Sequence, residues 1–192
     1  MFANDRLAET AALVALLRRS RGGWSAIAEA VEDAGTARTL LDAARDGDQT
    51  SLFDTEHDID LRRISEEIEQ WELDGTRLVS VLDAEYPSNL RAVFDRPPLV
   101  FIHGNVTPSD ARAVAIVGSR QASDDRLAQA ATFATSLADA GFTIISGLAE
   151  GVDGAAHRAA LSAGGRTVAV IGTGIRRSYP AAHAEQIGRA HV

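Results

Sequence analysis

Residues 111–174 read ARAVAIVGSRQASDDRLAQAATFATSLADAGFTIISGLAEGVDGAAHRAALSAGGRTVAVIGTG, and short apolar runs alternate in them with longer alanine-rich segments. The apolar runs at 113–117, 142–145 and 167–171 are continuous, as expected of strands that are buried on both faces of a sheet. The segments between them carry apolar residues at helical spacing. This alternation predicts an α/β fold, a Rossmann-like, doubly wound parallel sheet with right-handed crossovers.

Ligands bind to such sheets beyond the carboxyl ends of the strands. Small residues stand there in three segments, which we name the first, second and third rim loops: Gly118-Ser119-Arg120, Ser146-Gly147-Leu148-Ala149 and Gly172-Thr173-Gly174. Small residues let backbone N–H groups approach a ligand, and the start of a following helix favours an anion. With Arg120 as a planar cation, the rim is predicted to bind phosphate, although a glycine after a strand also permits a tight turn.

Two titratable residues of the second predicted helix need a separate interpretation. Asp153 and His157 lie four residues apart, a spacing that metal binding or acid–base chemistry could use. The structural interpretation, which we favour, is that Asp153 caps the helix N-terminus and His157 packs or hydrogen-bonds beneath the loop. The chain has no Cys, and its other four histidines show no ligand spacing, so we expect neither a metal nor a cofactor.

Familiar enzyme motifs are incomplete in this chain. The third rim loop begins as G-x-G, but Arg177 stands where the dinucleotide-binding fingerprint needs glycine. No phosphate-binding loop of the Walker A type occurs. Ser146 is not part of a nucleophile elbow, because Ile144 stands where that motif needs glycine.

The chain ahead of this region has a different character. Residues 1–110 carry 21 acidic and 11 basic side chains, whereas residues 111–192 carry 6 and 8. Helical periodicity interrupted by glycines predicts a small all-helical domain at 1–75, with an acidic linker near 46–60. Residues 76–110 hold two short strand-like runs among turn signals and predict a connector that adds edge strands to a sheet. Residues 111–192 form the Rossmann-like domain of this scheme.

Nothing in the sequence indicates a membrane protein or an exported one. No apolar run approaches the roughly 18 residues that a membrane-spanning helix needs. The first residues lack the basic and then apolar pattern of a secretory signal. We therefore expect a cytoplasmic protein without membrane contact.

Taken together, these segments resemble the DNA-processing protein A family (DprA, also called Smf). The resemblance extends over about residues 76–190, whereas the helical part before it is similar to the sterile-alpha-motif-like (SAM-like) domain of the family only in outline. It is carried by residues 115–120, 146–157 and 167–174, by Tyr179-Pro180, and in the connector by residues 86–90, 95–99 and Gly104.

The resemblance implies a protein that binds single-stranded DNA and helps to load the RecA recombinase during DNA recombination and natural transformation. It implies a homodimer and a binding protein without catalysis. Carried over by position, the first rim loop and Ser146-Gly147 match the phosphate-facing loops of the family. Gly172 and Gly174 complete the predicted phosphate contacts, with Asp153, His157 and Tyr179 as supporting residues.

Two other functions stay open at this point. Related Rossmann-like families bind nucleotide derivatives at the same rim, so the chain could be a nucleotide-binding enzyme or sensor. The acidic balance of residues 1–110 would equally suit a helical protein-interaction module without DNA binding.

The chain also departs from the family pattern. Members usually carry Tyr-Gly where this chain has Asp125-Arg126, and Arg where it has Glu150. Asp124, Asp125 and Glu150 place negative charge near two predicted anion sites, where it competes with phosphate. The family's Rossmann-like domain continues beyond the position of Val192, so we expect an incomplete domain with an exposed sheet edge that favours association.

Overall fold

The computed structural model describes residues 3–45 and 60–172, with side chains from Asp5 onward. The chain divides into two compact units, Met1–Ile102 and His103–Val192. Most of the predicted linker near 46–60, the predicted helix after Pro180, Gly174 and Tyr179 lie outside the described residues. Among the helices in the described ranges, none is long and apolar enough to cross a membrane.

The first unit begins with four helices: α1 Ala3–Arg18, α2 Trp24–Ala34, α3 Ala37–Arg45 and α4 Leu61–Leu73. Their ends follow local chemistry, since Asp60 accepts a hydrogen bond from the Arg63 N–H at the start of α4 and Gly35, at φ +72°, ends α2. The middle of α1 is buried on all sides, so α1 is the centre of this unit's core. All four helices contribute residues to this core: Ala11–Leu16, Ile27, Val31, Leu40, Leu41, Ile64 and Ile68.

The connector continues with β1 Thr76–Ser80, the short helix α5 Ser88–Arg91 and β2 Leu99–His103. We expected these strands to extend a larger sheet, but β1 and β2 pair with each other in a two-stranded sheet of their own. Tyr86 is buried and donates its hydroxyl hydrogen to the Pro97 carbonyl at 2.6 Å. Arg91 donates to the carbonyls of Val81 and Asp83 at 2.7 and 2.8 Å. These bonds fix the turn-rich segment between the two strands.

The second unit holds a short 3₁₀ helix, Pro108–Ala111, and then alternates strictly between strand and helix. The elements are β3 Ala113–Ala115, α6 Asp124–Asp139, β4 Thr143–Ser146, α7 Val152–Ser162 and β5 Thr167–Ala169. The three strands are parallel and adjacent in the order β3-β4-β5. β3 and β5 are each two residues shorter than predicted, so Val117 and Ile171 lie beyond them, whereas β4 has the predicted length and begins one residue later. The Ile116 N–H still donates to the Ile145 carbonyl at 2.9 Å.

Both helices of the second unit cover one face of this sheet. Helices α6 and α7 pack against each other, and both contact β4. Ala134, Ala156 and Ala160 are fully buried with Ile144 in the core between helices and sheet. The strands lie side by side in the same order as along the chain. Because crossover connections between parallel strands are right-handed, their helices then lie on the same face of the sheet. A doubly wound sheet needs a reversal of strand order, and the described strands contain none, so this part of the fold class stays a prediction.

The amino ends of the strands are tied together by one carboxylate. Asp110 pairs with the guanidinium of Arg166 through both oxygens, with Nε–Oδ1 at 2.5 Å and Nη2–Oδ2 at 2.7 Å. It also accepts from the Thr143 hydroxyl and the Thr107 N–H. Since Thr143 begins β4 and Arg166 precedes β5, this cluster holds the edge of the sheet opposite the predicted rim.

Candidate nucleic-acid interface

The first rim loop follows β3 and is exposed to solvent along its whole length. The backbone N–H groups of Gly118, Ser119 and Arg120 make no hydrogen bond with any residue in the ranges 3–45 and 60–172. Ser119 Oγ accepts from the N–H of Gln121 at 3.1 Å, which fixes the side chain and leaves its hydrogen without an acceptor among those residues. Three consecutive amides and one hydroxyl are therefore available to an external acceptor.

Arg120 stands at the end of this loop with its side chain exposed. Within the described part of the chain, its guanidinium forms no ion pair with a carboxylate. The donors of this planar group therefore stay available to a ligand. An arginine held against an internal carboxylate would have removed the physical basis for a phosphate site at this position.

Two donors of the second rim loop, the Ser146 hydroxyl and the Gly147 N–H, are bonded within the chain. Ser146 is 2% exposed, and its hydroxyl donates to the Ile116 carbonyl at 2.6 Å, which ties the end of β4 to β3. The Gly147 N–H donates to Asp153 Oδ2 at 3.1 Å. A phosphate at this loop would have to displace both bonds. The phosphate role of Ser146 and Gly147 stays a prediction.

The two titratable residues of α7 are buried parts of the structure. The prediction that Asp153 caps the helix is wrong, because Gly151 is the N-cap and Asp153 lies two residues further, in the first helical turn. His157 is fully buried, and its Nδ1 lies 2.7 Å from Thr167 Oγ1, which itself donates to the Ile144 carbonyl. The described residues contain no group of three or more His, Asp or Glu side chains suited to a metal ion.

Gly151 is a residue of this site that the sequence analysis missed. Its backbone lies at φ +80° and ψ −128°, a combination that only glycine adopts readily. A Cβ at this position would lie 2.7 Å from the carbonyl oxygen of Arg120. The neighbouring Val152 N–H donates to the Ser119 carbonyl at 3.2 Å. A glycine directly before a helix that follows a strand is a signal that could have suggested this special backbone.

The rest of the predicted rim is only partly described. Gly172 of the third rim loop is exposed, and a Cβ added there would meet no atom of the described residues within 4 Å. The acidic residues Asp124, Asp125 and Glu150 are all exposed, the first two in the first turn of α6. Their charges are therefore hydrated and partly screened by salt.

Comparisons with known proteins agree on one family. Residues 77–191 match the family described as DNA recombination-mediator protein A. The chain is 41% identical over 116 residues to DNA processing protein DprA of Streptococcus pneumoniae, which covers 59% of this chain and 41% of that protein. It is 40% identical over 99 residues to protein Smf of Escherichia coli, covering 52% of this chain and 26% of that protein.

A solved structure supports the same relationship. The X-ray structure of DNA processing protein A (DprA) from Streptococcus pneumoniae superimposes with a TM-score of 0.54 at 36% identity, over 65% of this chain and 45% of that one. The chain thus spans less than half the length of the relatives that it matches. The family match nevertheless covers more than half of the chain, and on that basis the chain belongs to the DNA recombination-mediator protein A family.

Proposed function

We propose that this chain binds single-stranded DNA at the first rim loop and assists the loading of RecA in DNA recombination and natural transformation. The observation that carries the proposal is the group of donors at the end of β3: three backbone amides, the Ser119 hydroxyl and the Arg120 guanidinium. The residues that carry them are exposed, and none of these donors has an acceptor among the described residues. The protein would act as a binding protein in the cytoplasm, as a homodimer, without catalysis.

Phosphate is the ligand that these donors suit best. Backbone amides and a guanidinium bind phosphate oxygens well, and neither reads the identity of a base. Contacts to the backbone alone produce binding that tolerates any sequence and weakens with salt, as in other proteins that bind single strands. The choice of a polynucleotide over a free nucleotide rests on the family and on the names of the relatives.

The acidic side chains around the loop limit the affinity that we expect. Asp124, Asp125 and Glu150 are exposed and close in sequence to the rim loops. Because exposed charges are screened over about 8 Å at physiological ionic strength, they weaken phosphate binding most at low salt. We therefore expect moderate affinity and a modest salt dependence.

The direct test is the variant Arg120→Ala, with Arg158→Ala as the matched control. Both remove one exposed arginine from the second unit, but Arg158 lies on α7, away from the rim loop in the chain. Binding of a fluorescent oligothymidylate is followed by anisotropy at several NaCl concentrations. Arg120→Ala should weaken binding and reduce the slope of log K against log[salt] by about 0.7, the value for one phosphate contact on a single strand. It should also slow RecA assembly on the same DNA.

Two outcomes would contradict the proposal. One is equal affinity and slope for wild type and Arg120→Ala. The other is thermal stabilisation by a mononucleotide without any binding of the oligothymidylate, which would favour the nucleotide-binding enzyme or sensor.

A further inference from the structure

We propose that Gly151 is a positioning residue for the first rim loop. Because it has no side chain, the carbonyl groups of Ser119 and Arg120 can pack against the start of α7, and the amides of the loop stay available to solvent or a ligand. The inference rests on the proposed DNA-binding function and assigns a role to a residue that makes no contact with the DNA itself.

The backbone of the first rim loop lies very close to Gly151. The carbonyl carbon and oxygen of Arg120 lie 2.8 and 2.7 Å from the position that a Cβ would occupy, and the Ser119 carbonyl oxygen lies closer still. All these atoms belong to backbone, so no side chain could swing away to make room. Any larger residue at 151 must push the first rim loop outward or move the start of α7.

Two contacts of Val152 hold the first rim loop against the start of α7. The Val152 N–H, at the first position of α7, donates to the Ser119 carbonyl at 3.2 Å. The Val152 side chain fills the space over Gly118, where a Cβ would lie 2.8 Å from Val152 Cγ2. The Ser119 carbonyl is thus bound to the helix, whereas the amides of the loop stay available to solvent or a ligand.

Part of the donor set at the start of α7 is already bonded within the chain. Its Gly154 N–H donates to the Ala149 carbonyl at 3.0 Å. The Asp153 carboxylate lies in the first turn, where a negative charge is favourable, and holds the Gly147 N–H. Two amides at the start of α7, those of Val152 and Gly154, are thus bonded within the chain, and the first of these bonds ties the first rim loop to the helix.

The chain offers a well-matched pair of variants, Gly151→Ala and Gly164→Ala. Gly164 lies at the other end of α7 at φ +71°, and a Cβ there meets no atom within 4 Å. Both variants force alanine into positive φ, but only Gly151→Ala collides with the first rim loop. We expect Gly151→Ala to bind an oligothymidylate about tenfold more weakly, or about 1.4 kcal/mol, whereas Gly164→Ala binds like wild type. The salt slope should fall by about 0.7 in the first variant alone.

A second variant covers the case in which Gly151→Ala does not fold. Val152→Pro removes the N–H that holds the Ser119 carbonyl, and proline is well tolerated at the first position of a helix. We expect a folded protein with weaker DNA binding. In ¹H–¹⁵N spectra without DNA, the amide signals of Ser119 and Arg120 should move in the variants at 151 and 152 and stay in place in Gly164→Ala.

The outcomes separate this inference from the proposed function. If wild type binds no oligothymidylate, the proposed function fails, and the inference fails with it. If wild type binds and Arg120→Ala weakens binding, but the variants at 151 and 152 match Gly164→Ala in affinity, slope and amide signals, then only the positioning role is overturned.

Discussion

Asp110 shows how a single carboxylate can hold the amino ends of two strands. Burial by itself would raise its pKa, but hydrogen bonds from Arg166, Thr107 and Thr143, together with the positive charge of Arg166, hold the pKa of Asp110 below its ordinary value. The folded state therefore binds a proton at this group less readily than the unfolded state does. The stability that this group contributes is complete above the ordinary carboxylate pKa of about 4 and is lost as the pH falls through the lowered value.

The variant Asp110→Asn tests this contribution. It should lower the free energy of unfolding near neutral pH by about 2 kcal/mol, a typical cost for hydrogen bonds to a charged group. Thermal melts from neutral to acid pH should show the melting temperatures of wild type and variant converging as the pH drops below about 4. The control Asp139→Asn removes an exposed carboxylate of the same unit and should leave the melts unchanged. A constant gap at all pH values would contradict the assignment.

Residues of the candidate site differ in how far the sequence could predict them. Ser119 and Arg120 were predicted as surface donors, and the structure leaves them exposed because a short loop after a strand has few neighbours. The internal bond of Ser146 could not be predicted, because its acceptor, the Ile116 carbonyl, lies 30 residues away in the chain. Gly151 was overlooked for the same reason, since its requirement comes from the backbone of another loop.

Helices α6 and α7 approach each other through alanine, and this contact defines the helical layer of the second unit. Ala134, Ala156 and Ala160 are fully buried, and a Cβ on Gly165 would lie 2.6 Å from that of Ala138. Such small residues let two helices pack closely over the sheet, where larger side chains would force them apart.

The variant Ala156→Leu should therefore destabilise the protein. Overpacking of a filled core costs about 1–3 kcal/mol, which a thermal or denaturant melt would register. The matched control is Ala128→Leu, which adds the same side chain to an exposed position of α6 and should change stability little. Equal melting of the two variants would show that the alanine contact is not closely packed.

At this scale the sequence predicted well where a local rule applies. Helices α2 and α4 lie in the region predicted to be helical, and Gly35 and Asp60 cap them through contacts within their own segments. Strands β3 and β5 were predicted two residues too long, because apolar residues continue past their ends as far as Val117 and Ile171. The pairing of β1 with β2 was not expected, because pairing depends on contacts between distant segments and not on the composition of either strand.

The three-stranded sheet of the second unit has an apolar face that the described residues of this unit leave open. If the alternation of β3 and β5 is continued past their ends, Val117 and Val170 fall on the face opposite Ile144, which lies under the helices. The two valines are 73% and 62% exposed. Since the described strands end in two unpaired edges, both the face and the edges favour contact between copies.

We therefore expect concentration-dependent self-association, as the predicted homodimer also requires. In sedimentation velocity, the sedimentation coefficient of wild type should rise with protein concentration. The double variant Val117→Thr/Val170→Thr keeps the β-branched shape of both side chains but makes the face more polar, and should shift the protein toward monomer. The control Val93→Thr alters an exposed valine of the first unit, 47% exposed, and should sediment like wild type. A wild-type protein that stays monomeric at every concentration would contradict this expectation, because the exposed apolar surface of Val117 and Val170 would then not drive association.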